Sequence, residues 1–203
     1  MTFEDRLDHS IQMQQEHAID LYTDFFDVKK IIEVDVLGQN NGDIKSLDFS
    51  GIDKIVITDD ARTIHIAQRF RREYEQDGEW KAPDFSLRID SYNDGVTEYE
   101  KLKKAHYGIG SMPDMYGFGR MPFGRQPAIQ EGFDEFYLIN LKRLVAKHFD
   151  GGLEAEGPYP NGDGSRGLYF ELSDIRKHNC MIHEWNSLNM EAKTQTTGLD
   201  RYV

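Results

Sequence analysis

Apolar residues recur along the chain with two periods, and the change from one to the other marks the elements. From 2 to 27 the spacing is helical. Leu7, Ile11, Gln14, Ala18, Tyr22 and Phe25 fall on one stripe, so the pattern predicts an amphipathic helix whose start resembles a capping box, Thr2 followed three residues later by Asp5. Glu4 falls on that same stripe, and an acid on a core-facing stripe is either a cap or part of a site. The period then drops toward two. Ile31 to Leu37 is a β-branched run closed by the turn signal Gln39-Asn40-Asn41-Gly42, and Ile52 to Thr58 and Thr63 to Phe70 predict a hairpin across Asp59-Asp60-Ala61-Arg62. On the second hairpin strand Ile64 and Ile66 share one face with Gln68, while His65, Ala67 and Arg69 share the other. Gln68 on an otherwise apolar face needs a partner.

Beyond the hairpin the alternation is broken. Phe85 to Ile89 predicts a strand, and Glu98 to His106 a short helix with Tyr99 and Leu102 inward and Lys101, Lys103 and Lys104 outward, as a solvated face or a backbone-binding rim. Residues 108 to 132 mix glycines and prolines with Met112, Met115 and Met121, a density of breakers that predicts neither helix nor strand. Their apolar content points instead to a loop covering a site or an interface between copies of the chain, with Tyr116, Phe118 and Phe123 set among Arg120 and Arg125. Phe136 to Asn140 predicts a strand and Leu141 to Phe149 a helix. A loop over Tyr159 to Ser165 leads to a strand from Gly167 to Leu172, a short helix capped by Ser173, and a last strand from Cys180 to Trp185. The polar stretch from 186 to 203 reads as a tail that frays unless it packs on a second protomer. The elements together predict one α/β domain over 1–185.

Composition narrows the function classes. No apolar run approaches bilayer length, the first ten residues lack the features of a signal peptide, and a single cysteine, Cys180, precludes an internal disulfide; the expectation is a cytoplasmic protein. The net charge of −12 argues against a general nucleic-acid-binding surface and leaves only a local basic patch. His178, Cys180 and His183 match no structural zinc spacing. Nucleotide-loop, dinucleotide, nucleophile-elbow and zinc-protease motifs are absent as well.

What remains is Gly51 to Arg72, where Asp53 enters one strand and Gln68, Arg69, Arg71 and Arg72 leave the next. A helix, a strand, a strand bearing Gly-Ile-Asp, and a strand ending Gln-Arg-Phe-Arg resemble the core of the PD-(D/E)XK restriction-endonuclease-like superfamily. Within it, Thr63 to Arg72 and Asp84 to Arg88 are similar to phage and archaeal members with a Gln-Glu-Arg-Phe-Arg strand end, a resemblance that implies a viral or mobile-element origin. It implies a central mixed sheet flanked by helices and a Mg²⁺- or Mn²⁺-dependent cleavage of DNA phosphodiesters. Asp53, Gln68 and Glu4 would then be the metal ligands, Asp53, Gln68 and Arg69 the catalytic residues, and Arg71, Arg72, Arg120 and Arg125 the grips on nucleic acid. The chain departs from the pattern in one place. Where the superfamily has an acid followed two residues later by Lys, here stand Ala67 and Arg69; a neutral amide is a weak ligand for a hard cation, and Arg stays protonated. The alternative is a protein of the same fold that binds nucleic acid or assembles with a partner without catalysis.

Overall fold

The structure, a computed structural model, describes residues 18–34, 51–72, 74–76, 79–81, 84–90, 96–121, 135–160, 165–186 and 189–193; of residues 72, 74–76, 79–81, 121 and 189–193 it describes the backbone alone. In chain order the elements are α1 (Ala18–Phe25), β1 (Val28–Glu33), β2 (Lys54–Thr58), β3 (Thr63–Arg72), β4 (Tyr74–Gln76), β5 (Glu79–Lys81), β6 (Phe85–Asp90) and α2 (Glu98–His106). Then follow β7 (Met115–Met121), β8 (Glu135–Asn140), α3 (Leu141–Phe149), β9 (Glu156–Pro160), β10 (Arg166–Phe170), α4 (Leu172–Lys177), β11 (Met181–Asn186) and β12 (Asn189–Lys193).

The hairpin expected across Asp59 to Arg62 forms. Thr58 N–H donates to the Arg62 carbonyl at 3.0 Å, Arg62 N–H returns to Thr58 Oγ1 at 3.1 Å, and Ala61 takes a left-handed φ of 65° to close the turn. β1, β2 and β3 make an antiparallel meander, and β7 joins β3 in parallel after the chain has crossed over through β6 and α2. A seven-stranded mixed sheet results, ordered β1-β2-β3-β7-β8-β11-β12, with a second sheet ordered β6-β10-β9. The class is α/β, as the element pattern predicts.

Each face of the large sheet buries a separate apolar cluster. On one, α1 lays Ala18, Leu21, Tyr22 and Phe25 over Val56, Ile64, Ile66, Phe70, Phe136 and Leu138. On the other, α2, α3, α4 and the second sheet cover Ala67, Tyr116, Phe118, Tyr137 and Ile139. A strand buried on both faces cannot show simple apolar-polar alternation, and β8, with five successive buried residues, reads as a continuous run for that reason.

Two expectations are corrected. Residues 115–121 are not a loop but β7, an interior strand between β3 and β8. The alternation Tyr116-Gly117-Phe118-Gly119-Arg120 is a period of two in which one face carries large side chains and the other carries none. A Cβ on Gly117 would lie 2.3 Å from the Tyr22 hydroxyl, and one on Gly119 2.4 Å from the Phe70 ring; the glycines admit side chains from neighbouring elements. This segment therefore is neither lid nor interface, and the rest of that stretch, 122–134, lies outside the described residues. The stretch after 185 is not all tail, since β12 pairs with β11. Smaller shifts also occur: the first strand begins at Val28 rather than Ile31, Glu156 to Pro160 is a strand instead of the start of a loop, and the last helix is N-capped at Glu171 with no side-chain cap from Ser173.

His183 on β11 is buried and stacks on Phe25, with ring centroids 4.4 Å apart and planes at 3°. Burial lowers its pKa below the usual 6.5. Between the two values the unfolded chain binds the extra proton, so its contribution is complete above pH 6.5 and is lost as pH falls through the folded pKa. Thermal melts at pH 7 and pH 5 are expected to show a smaller acid-induced drop for His183→Phe than for the native chain; equal drops would remove His183 from the account.

Candidate functional site

Asp53 lies one residue before β2 begins. Its backbone is already strand-like, donating to the Ile66 carbonyl and accepting from Val34 N–H, both at 2.9 Å, while its carboxylate Oδ2 accepts the Gln68 N–H at 2.5 Å. The carboxylate thus ties β3 where the β2 ladder has not yet started. Asp114 does the same on the other side, its Oδ2 accepting the His65 N–H at 2.8 Å ahead of β7. An acid at a strand start is structurally useful whatever else it does.

The side chains of β3 divide between the two faces. Gln68 points to the α1 side, where its amide Nε2 donates to the Tyr22 hydroxyl at 2.5 Å and its Oε1 is buried without a partner. The partner that Gln68 requires is therefore Tyr22, whose burial among α1 residues also raises the pKa of its phenol. Arg69 points to the opposite face. Its Nη1 donates to the Ser86 carbonyl at 3.2 Å and its Nη2 to Glu98 Oε2 at 3.0 Å. Burial works against the Arg69 charge, but Glu98, Tyr116 and Asp53 together outweigh it and raise the guanidinium pKa.

Glu98 is the residue that sequence reasoning missed. It is the first residue of α2, held there by the Thr97 capping box, in which Glu100 N–H donates to Thr97 Oγ1 and Thr97 N–H to Glu100 Oε2, each at 3.3 Å. Besides Arg69 it accepts the Arg88 N–H at 3.4 Å and bonds the buried Tyr116 phenol. The Thr97-x-x-Glu100 cap was readable in the sequence and fixes Glu98 in the first turn. One turn further, Lys101 lines the pocket and is half-buried, whereas Lys103 and Lys104 are exposed; of the two expectations for these lysines, the solvated face is corrected for Lys101.

These residues meet at a pocket of about 220 Å³. Asp53, Arg69, Glu98, Lys101 and Tyr116 supply its polar lining, Ala67 lies beneath, and Gly51, Leu102, Pro113 and Leu141 complete the walls. Gln68 touches the margin, yet its side-chain amide is engaged on the other face, so Asp53 and Gln68 do not form the expected donor pair. Two of the arginines expected to grip nucleic acid, Arg71 and Arg120, bond to neighbouring side chains of the fold. Arg71 Nη2 donates to Ser86 Oγ at 3.3 Å, and Arg120 meets Glu135 at 3.1 Å and Asp84 at 3.4 Å while lying over the Tyr137 ring. Glu4, Arg125 and the side chain of Arg72 lie outside the described residues.

The donor chemistry at the pocket bears on a metal. Among the described residues no three His, Cys, Asp or Glu side chains converge, and the pocket offers two carboxylates, Asp53 and Glu98. That does not fit a protein-caged ion, but it fits Mg²⁺ held by one or two carboxylates with the remainder of its shell from water and substrate phosphate. No protein-family model matches the chain, and neither a curated protein nor a solved structure matches it. Among the described residues no helix is long and apolar enough to cross a membrane.

Proposed function

We propose that the pocket engages a nucleic-acid phosphodiester, DNA first, as the site of a nuclease-like protein. The observation that carries this reading is the meeting of two acids and two bases, Asp53 and Glu98 with Arg69 and Lys101, in one small concavity over a mixed sheet. The acid absent from β3 at Ala67 has a counterpart in Glu98, and the lysine absent at Arg69 has one in Lys101, both from α2. The order of α1 followed by the β1-β2-β3 meander also accords with the restriction-endonuclease-like resemblance.

In this reading Asp53 and Glu98 would hold a divalent ion, which when bound supplies a polarised phosphate and a water of lowered pKa. Arg69, fixed by Glu98 and the Ser86 carbonyl, orients the phosphate by its remaining N–H donors and opposes developing charge. Lys101, on its flexible stem, neutralises a second oxygen.

Incubating the full chain with plasmid, linear duplex, single-stranded DNA and RNA, with Mg²⁺ or Mn²⁺, tests it. Cleavage should depend on the added ion and fall by roughly 100-fold or more in Asp53→Asn, the scale of one lost electrostatic contact in a transition state. The Asn side chain retains an acceptor for the Gln68 N–H, so unchanged melting separates chemistry from folding.

A second reading is binding without catalysis. It is favoured by the three donors already on Glu98, from Arg69, Arg88 and Tyr116, which leave a carboxylate with about four acceptor sites little room for an ion. A native chain that shifts DNA without cutting it with either ion selects this reading. A chain that does neither removes the pocket from nucleic-acid chemistry.

A further inference from the structure

We propose that Arg71 and Ser86 form a second anion seat, outside the pocket, that takes a phosphate group. The inference rests on the phosphodiester reading for the polymeric source of that phosphate, not for the seat itself.

The argument begins with pairing. The chain carries 36 acids against 24 bases, so a cation here has no shortage of carboxylates. Arg62 meets Asp60, Arg69 meets Glu98, Arg120 meets Asp84 and Glu135, Arg166 meets Asp90, and Arg176 meets Glu184. Arg71 meets a hydroxyl. Its guanidinium has five N–H donors, and its hydrogen bond among the described residues is the 3.3 Å contact from Nη2 to Ser86 Oγ.

Burial does not relieve this imbalance. Arg71 is half-buried where β3 faces β6, two residues beyond Arg69 on the same side of the strand. Burial and then the neighbouring Arg69 charge both pull its pKa down. The phenols of Tyr116 and Tyr169 are near it, and Glu98, the acid within range, is already bonded to Arg69. Among the described residues the one carboxylate that acts on Arg71 is thus already held by Arg69. A covered cation without a counter-ion is costly, and an added anion offsets that cost.

The geometry selects the anion. The free side of a guanidinium presents a planar fork that matches two oxygens of one phosphate. Ser86 is itself buried; its Oγ accepts from Arg71 and keeps its own proton as a donor for a third oxygen of an anion seated on Arg71. With Arg69 adjacent, a group carrying more than one negative charge is favoured. A nucleic-acid backbone and a small phosphorylated molecule both present this chemistry.

The test uses the full chain, with inorganic phosphate in thermal melts and a labelled single-stranded oligonucleotide in anisotropy titrations over a salt series. Phosphate should raise the melting temperature of the native chain. Arg71→Gln should melt at or above the native temperature in phosphate-free buffer and gain nothing from phosphate, because the substitution removes an unbalanced cation. A merely structural arginine would instead lower the melting temperature. The same variant should bind the oligonucleotide about tenfold more weakly and flatten the log-log salt slope by about 0.7, the value of one phosphate contact on a single strand. Arg71→Lys should keep the slope, and Ser86→Ala should lose several-fold in phosphate affinity. Lys101→Gln reads the pocket independently. Should phosphate protect the native chain, with protection lost in Arg71→Gln but no oligonucleotide bound, the seat stands with a small phosphorylated ligand as its source and the phosphodiester reading fails. An unchanged phosphate response and salt slope in Arg71→Gln overturn the seat. If Arg71→Gln unfolds, a full phosphate response in Ser86→Ala overturns it equally.

Discussion

Gly117→Ala is expected to destabilise the fold by about 3 kcal/mol, the upper range for overpacking a core. The new Cβ would sit 2.3 Å from the Tyr22 hydroxyl and 2.9 Å from Phe136 Cζ, and neither can withdraw cheaply. Tyr22 is fully buried on the sheet-facing side of α1 and accepts the Gln68 amide, while Phe136 is fully buried and packs edge-on to Tyr22 at 5.8 Å. Urea unfolding should show a lower midpoint with an unchanged slope. Tyr22→Phe in the same background should recover part of the loss, since it removes the nearest atom while leaving Phe136 in place. A Gly117→Ala midpoint within about 0.5 kcal/mol of the native chain, the range of an inert surface change, would contradict this packing. Gly119→Ala should behave alike through Phe70, whereas alanine at Gly108 acts by a different route: nothing lies within 4 Å there, and the cost is that of a φ of 83°.

The same two glycines show where sequence reasoning stops. As breakers they hide a central strand, because their role is defined by Tyr22 and Phe70, which lie some 95 and 49 residues earlier in the chain (117 − 22 and 119 − 70). The local signals around β2 and β3 were legible: β-branched runs, a four-residue turn, and the assignment of Gln68 to the isoleucine face with a partner needed. The partner itself was not legible, since α1 reaches β3 only in the folded chain. Asp53 was singled out by its place at a strand start, and it does line the pocket, but its bond to the Gln68 N–H depends on where the β2 ladder begins. Glu98 and Lys101 passed as an ordinary helix turn because the spacing of a helix shows which residues share a face, not which sheet residue that face will cover. Arg71 and Arg72 suggested an exposed grip; the contact of Arg71 with Ser86 of β6 could not be read from charges alone.

Glu98→Ala is expected to cost about 2 kcal/mol, less than the 3–5 typical of breaking a buried pair because both partners keep some solvent contact. The side chains of Arg69 and Glu98 are 26% and 23% exposed. The loss arises mainly from what remains: an Arg69 that stays charged under a covered surface, an Arg88 N–H without its acceptor, and a buried Tyr116 phenol without its partner. Removing both charges should be milder. Arg69→Met combined with Glu98→Gln, which preserves an acceptor for Arg88 and Tyr116, is expected to lie within about 1 kcal/mol of the native chain, since a hydrophobic replacement of a covered ion pair is often near neutral. The cycle built from Arg69→Met, Glu98→Gln and the double variant should then give a coupling of at least about 1 kcal/mol, read from urea midpoints. Additive single effects would mean that Glu98 is held by α2 and the Arg88 N–H rather than by Arg69. Because the double variant leaves the fold intact while emptying the pocket of one acid and one base, it also separates stability from function. A protein that folds normally and no longer binds or cuts DNA would assign the loss to the pocket chemistry alone.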